Sequence, residues 1–311
     1  MLREIVEGFE PTNVSAGPAK IFGDISDGTI QFPGITQNGV VEVSYFYGDG
    51  KPKNIIVISS QTGCHYGCNF CELGKEKPIG NIDLSPDEIY EQAILILQKA
   101  LQFGFDIDTI AHKVTVANTG EPLFNPNLIS GLERITQLGT SFKVSTIFPP
   151  GRKARKNFEN LAEFASGYQR SVQLQISLIS TSEDYRRKAA GVKLASFEEI
   201  KDAADYWRKL NPQRKVNLSL ILTADNPCNV DDVYDTFPPE LFRFRLRPYV
   251  QTENGKRNLL VRLDYAELDR LKESFKQRGY EVGDWAKPTP VEQKFGLAGN
   301  VTRGRYLRGK D

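Results

Sequence analysis

The chain has 311 residues, 40% hydrophobic and 25% charged, and its forty lysines and arginines against thirty-nine acids give a net charge of +1. That balance is the one of a globular protein with core enough for one large domain or two modest ones, and it lacks the basic excess of a dedicated nucleic-acid binder. No apolar run approaches the ~20 residues of a membrane span, and the acid-bearing start MLREIVEGFEPTN is not a secretory signal, so the expected compartment is the cytoplasm, where thiols stay reduced.

Residues 1–53 contain VVEVSYFY and then Gly48-Asp49-Gly50, which predicts a β-hairpin extension too short to be an independent domain. NIIVIS (54–59) is a short apolar, β-branched run and predicts the first core strand. A loop carrying three cysteines follows. Ser85, Pro86 and Glu88 then predict a helix start, with an N-cap, a proline in the first turn and a capping box. Ile89, Ala93, Ile96 and Leu97 recur at helical spacing until Gly104. The alternation continues. KVTVAN leads to a helix over 127–138, FKVSTI to one through Leu161 and Phe164, and VQLQISL to one over 197–210. VNLSLIL leads to a short helix beginning near Val230, and FRFRLRPY to a last long helix over 265–278.

About six strand–helix units with short connections predict a parallel α/β architecture. Six are too few to close an eight-fold barrel, so the expected fold is a partial (β/α)6 TIM-like barrel over 54–285, with catalytic groups at the C-terminal ends of its strands. Residues 286–311 are expected to form a C-terminal active-site loop and a basic tail. Arg243, Arg245 and Arg247 in FRFRLRPY, like the tail TRGRYLRGK, read either as a local anion-binding patch or as a polar strand face and a solvated end.

Cys64, Cys68 and Cys71 stand in QTGCHYGCNFCELG, and three of the four cysteines in the chain fall within these eight residues. Soft thiolates suit iron–sulfur clusters; ordinary [4Fe–4S] sites use four, so three ligands leave one iron open for catalysis. By spacing alone, a zinc site completed by His65, or a redox pair of Cys68 and Cys71, remains open.

The spacing C-x3-C-x2-C is the radical S-adenosylmethionine (SAM) signature, and its surroundings narrow the likeness. Ser59-Ser60-Gln61-Thr62-Gly63-Cys64 and Thr119-Gly120-Glu121-Pro122-Leu123 closely resemble the RlmN/Cfr type of adenine methyl synthase. The resemblance runs from Asp27-Gly28-Thr29-Ile30 to Gly296-Leu297-Ala298-Gly299-Asn300-Val301, nearly the whole chain. It implies a [4Fe–4S] cluster on Cys64, Cys68 and Cys71 whose open iron chelates SAM. Reductive cleavage would then yield methionine and a 5′-deoxyadenosyl radical, with flavodoxin or ferredoxin as electron donor. It also implies SAM contacts from Gly120 and Glu121, from Ser145 beside the ribose, from Ser177 in a segment where Ile179 replaces the family's histidine, and, by a looser alignment, from Asn229.

Two departures change the expected chemistry. The methyl synthases use one cysteine near the C-terminus and another seven residues before the cluster; here those places hold Lys294 and Val57. Neither carries or releases a thioether methylene, so methylation by that route is excluded. The relatives also carry an N-terminal accessory domain for RNA, for which this chain has no room. A small-molecule substrate is therefore expected ahead of RNA, with epimerisation or dehydrogenation as the outcome. RlmN/Cfr-related modification of RNA or protein by a non-cysteine route is the alternative, and a non-catalytic iron–sulfur protein a second one. Three residues are candidates for the chemistry: Cys228 as a hydrogen-atom donor against a merely buried loop residue, Glu42 as an acid/base against an exposed strand glutamate, and Lys294 as an anion or adduct site against a solvated lysine.

Overall fold

The computed structural model describes residues 2–18, 20–22, 28–48, 52–74, 81–108, 112–283 and 301–309. A short helix α1 (Leu2–Glu7) precedes β1 (Val14–Ala16), β2 (Lys20–Phe22), β3 (Thr29–Thr36) and β4 (Gly39–Gly48). From β5 (Pro52–Ile58) onward strands alternate with helices: α2 (Pro86–Gln102), β6 (His112–Val116), α3 (Leu128–Ile135), β7 (Ser141–Thr146), α4 (Arg152–Gly167) and β8 (Val172–Ile179). Then come α5 (Glu183–Ala190), α6 (Phe197–Leu210), β9 (Val216–Leu222), β10 (Phe242–Pro248), α7 (Glu253–Arg257) and α8 (Tyr265–Gln277), with a terminal helix at Val301–Leu307.

The described strands form one sheet. β5 to β10 are parallel and lie side by side in chain order, and β4, β3 and β1 continue the sheet antiparallel beyond β5. This is the expected partial (β/α)6 barrel. The N-terminal extension is larger than one hairpin, because β1 and β2 both pair with β3, and it shares the core sheet through Ser44 opposite Val57.

Local chemistry explains the elements. At α2 the Ser85 hydroxyl accepts the Glu88 N–H at 3.1 Å and the Glu88 carboxylate accepts the Ser85 N–H at 2.8 Å, with Pro86 between them. Such a cap contributes ~1 kcal/mol. Two expectations differ. Residues 231–236 form turns rather than a short helix, since the Asn229 side chain accepts the Asp231 N–H at 3.1 Å and Pro238-Pro239 bars continuation. The helix α5, unforeseen, is capped by Ser182, whose hydroxyl accepts the Tyr185 N–H at 3.3 Å.

Alternation decides the faces of the parallel strands. Val114, Phe142, Leu174, Leu218 and Phe244, all fully buried, meet the helices in the main core together with Phe158, Trp207 and Phe275. Each such side chain stabilises by ~1.5–3 kcal/mol on burial. The opposite face of the same strands is polar.

Candidate active site at the strand ends

The chain leaving β5 is fastened at once to its neighbours. Gln92 Oε1 accepts the Ser59 N–H at 2.9 Å, and the Thr119 carbonyl accepts both the Ser60 and Gln61 N–H groups at 2.9 and 3.2 Å. The Gln61 side chain donates to Asp83 at 2.7 Å and accepts the Glu121 N–H at 2.9 Å. Gly120 sits against it at φ +99°, and a Cβ there would lie 2.6 Å from the Gln61 Cβ. Only glycine tolerates that backbone and that approach. The turns after β5 and β6 are thereby one rigid unit.

The cysteines occupy the next stretch. Cys68 is buried, Cys64 and Cys71 are half-buried, and all three pack with Tyr66, Ile147, Ile179 and Ala190. Burial, the neighbouring Cys71 and Glu121 push the Cys64 thiol up to about 12, and burial with Cys71 and Cys64 pushes Cys68 up as well. Burial and their mutual effect when ionised keep these thiols protonated unless a cationic group joins them. Among the described residues no three His, Cys, Asp or Glu side chains converge on a single ion. A zinc site completed by His65 would need its ligands to converge on one ion, whereas a four-iron cluster takes each thiolate on a separate iron. The donor set fits such a cluster.

The loop is clamped from far along the sequence. Asn254 in α7 donates to the Cys68 and Asn69 carbonyls at 3.1 and 3.3 Å, and Thr252 donates to the Phe70 carbonyl at 3.2 Å. The Glu72 carboxylate accepts the Glu253 N–H at 2.9 Å and pairs with Arg308 at 3.2 Å. From α5 the Ala189 carbonyl accepts the Asn69 N–H at 2.9 Å. Arg186, also in α5 and nearly inaccessible, donates to the Ile147 carbonyl at 3.1 Å and to the Ala195 carbonyl. None of these positions carries a local sequence signal; their partners are distant in the chain.

Glu121 is buried and its carboxylate is engaged by protein donors: Oε1 accepts from Thr146 Oγ1 at 2.5 Å and Leu123 N at 3.0 Å, and Oε2 from Ile147 N at 2.9 Å. Burial outweighs these bonds and lifts its pKa to about 7. The side chain therefore ties the end of β6 to the end of β7. Ser145 accepts from Gln175 at 3.2 Å, and Ser177 lies beside Ser219 in register; both are half-buried on the polar face. Asn229 is exposed, and its amide is spent on its own turn through Asp231 and Asp232. Asn226, three residues earlier, is the buried one: it donates to the Ile179 and Ile221 carbonyls at 2.8 and 2.7 Å, and its Oδ1 has no partner among the described residues. Ile179 itself holds φ +72°, a strained conformation for a β-branched residue.

The three chemistry candidates separate. Cys228 packs against the main core rather than with the loop cysteines, and burial and Asp232 push its thiol up to about 12. Glu42 is not an exposed strand glutamate: it is fully buried, and its Oε2 accepts the Arg303 N–H of the terminal helix at 3.1 Å. Lys294 lies outside the described residues.

The radical SAM superfamily model matches residues 58–237, more than half the chain and the span that includes the cysteine loop. The chain belongs to the radical SAM superfamily. The superfamily implies a [4Fe–4S] cluster and SAM. Among curated proteins the chain is similar to probable dual-specificity RNA methyltransferases RlmN. That of Christiangramia forsetii is 29% identical over 58% of this chain and 50% of its own, and that of Natranaerobius thermophilus 28% over 74% and 62%. The chain thus spans about half the length of the first of these relatives. Among solved structures, a radical SAM methyltransferase from Sphaerobacter thermophilus superposes with a TM-score of 0.72 at 19% identity, over 91% of this chain and 80% of that one. SuiB from Streptococcus suis, bound to S-adenosylmethionine, superposes with a TM-score of 0.52 at 16% identity, over 77% and 51%. These two likenesses establish the fold. No described helix is long and apolar enough to cross a membrane.

Proposed function

We propose that this radical SAM enzyme holds its cluster on Cys64, Cys68 and Cys71, binds SAM along the C-terminal ends of the parallel strands, and takes a hydrogen atom from its substrate without a methyl-carrying cysteine. The observation that carries this reading is the three-thiol loop leaving β5, fastened through Gln61 to the Gly120–Glu121 turn at the end of β6. When bound, the cluster and SAM supply one-electron cleavage chemistry and a 5′-deoxyadenosyl radical.

The residues of the chain bind and orient. Asn254, Thr252 and Ala189 hold the cysteine loop through its backbone, so that the thiols are presented in a fixed arrangement. Gly120, Ser145 and Ser177 line the strand ends toward the cofactor, Glu121 keeps those ends in register, and Asn226 takes the role that alignment gives to Asn229, because its free amide oxygen is the buried one. Glu42 positions the terminal helix. Cys228 is the hydrogen-atom donor in an epimerising variant of the reaction: its raised pKa keeps the S–H bond that such a donor needs, and the thiyl radical left behind takes one electron from the same flavodoxin- or ferredoxin-type donor and one proton to become a thiol again. Loss of Cys228 with undiminished epimerised product removes it from that role.

For the substrate, the names of the curated relatives favour an RlmN-related modification of RNA over the small molecule expected from the near-neutral charge. Val57 and Lys294 still require a route other than transfer through a cysteine methyl group. Incubating the reconstituted protein anaerobically with dithionite and SAM tests the reading: 5′-deoxyadenosine should be released, and a flavodoxin- or ferredoxin-type donor should replace dithionite. Full cluster loading with no 5′-deoxyadenosine would make the chain a non-catalytic iron–sulfur scaffold.

A further inference from the structure

We propose that the ion pair between Arg308 and Glu72 sets how readily the cluster accepts its electron, because Arg308 cancels a buried carboxylate that would otherwise oppose reduction. The inference rests on the cluster being held by Cys64, Cys68 and Cys71, and it gives the far end of the chain a tuning role.

The loop itself places the carboxylate. Glu72 follows Cys71 directly, and its side chain is 1% exposed against 34% for Arg308. One oxygen accepts the Glu253 N–H at 2.9 Å, and the other pairs with Arg308 at 3.2 Å. Among the described residues no other cation pairs with it. A charge held out of water is screened less than one on the surface, so it acts on its neighbours in the loop. An incoming electron makes an iron–sulfur centre one unit more negative, and local net charge is one of the levers on its potential. A bare carboxylate beside Cys71 disfavours that step, and the guanidinium of Arg308 removes the penalty.

The terminal helix delivers the guanidinium through contacts that Arg308 does not make. Thr302 donates to Gln31 Oε1 at 2.7 Å, both side chains being buried, and the Arg303 N–H goes to Glu42 at 3.1 Å. The Arg303 guanidinium donates to the Val40 carbonyl at 2.6 Å and to the Thr62 carbonyl, just ahead of Cys64, at 3.0 Å. Gly304 brings the helix backbone onto the carboxylate: a Cβ there would stand 3.4 Å from Glu72 Oε1 and 3.1 Å from Arg308 Nη1. The helix is thus fastened on both sides of the cysteine loop, and replacing Arg308 alters charge more than docking. Glu253 also feels Arg308, but its hydrogen bond to Lys256 is what chiefly holds its carboxyl below the usual range, and that ion pair at 2.6 Å survives the loss of Arg308.

A pair that only staples the helix would loosen the loop in the same way whichever partner is removed. A pair that tunes the cluster must shift its potential in opposite directions. An EPR-monitored redox titration of the reconstituted protein, with dithionite supplying the electron, reads the midpoint after iron content has been measured. Arg308→Gln should lower the midpoint by ~59 mV, a tenfold fall in the reduced-to-oxidised ratio at fixed potential. Glu72→Gln should raise it, since the amide oxygen still accepts the Glu253 N–H while Arg308 is left uncompensated. Arg308→Lys, which keeps the charge, should stay close to wild type, and the double variant should return there. Should Arg308→Gln load no iron, Glu72→Gln and the double variant still differ only in the charge at residue 308, and the double variant must have the lower midpoint. Midpoints that move in the same direction, or do not move, overturn the proposal in a protein that loads its iron. A wild type that takes up no iron refutes the cluster assignment first and this proposal with it.

Discussion

Replacing Asn254 by Ala should loosen the cluster without unfolding the protein. Its amide makes two hydrogen bonds to the loop, to the carbonyls of Cys68 and Asn69, and the residue is 3% exposed. Each bond contributes ~0.5–1.5 kcal/mol net, so their joint loss amounts to about 1–3 kcal/mol. That corresponds to a roughly 5- to 140-fold rise in the open population of the loop. Cys68 O keeps the Cys71 N–H at 3.1 Å, which argues for the lower part of that range. The assay is the rate of iron release to a chelator from the reconstituted protein, read against a denaturation midpoint. Asn254→Asp should release iron faster still, because a carboxylate oxygen would then face two carbonyl oxygens. Iron release at the wild-type rate from both variants would refute the claim that this clamp holds the cysteines.

Three further outcomes are expected. Cys68→Ala should lose its iron, while Cys228→Ala should keep it, since Cys228 packs with the main core; iron analysis after reconstitution checks both. Phe244→Ala should cost ~3–5 kcal/mol in urea unfolding, because the ring packs 4.6 Å from Phe275 and 4.9 Å from Tyr280 in the core. His112 is buried and its pKa is lowered from 6.5, burial outweighing the bond to the Ile107 carbonyl and the nearby Asp108 and Asp106. The unfolded chain therefore takes up the proton first. The associated stability is complete above pH 6.5 and is lost as pH falls through the folded-state value. His112→Gln should show a shallower loss of stability than wild type in denaturant titrations just below that pH.

Much of the scaffold was legible because its signals are local. A β-branched run followed by Ser85-Pro86-Asp87-Glu88 predicts a strand, a loop and a capped helix wherever it occurs, since the cap bonds span three residues. The cysteine spacing is likewise contained in eight residues. The short helix expected near Val230 failed for the same kind of reason: an asparagine-headed turn competed locally and prevailed.

Contacts between distant residues were not legible. Glu42 reads as an alternating strand residue, and only the docking of the terminal helix buries it. Asn226 and Asn229 are equivalent in the sequence, and only the packing of the loop on the ends of β8 and β9 distinguishes them. Asn254 reaches Cys68 across 186 positions. The arginines of FRFRLRPY belong with these. By itself the sequence determined that they share a strand face, because alternation is a property of one strand. Only the tertiary structure decided that this face also carries Lys113 and Lys143, because the register of parallel neighbours is set by crossover helices and not by the strand itself.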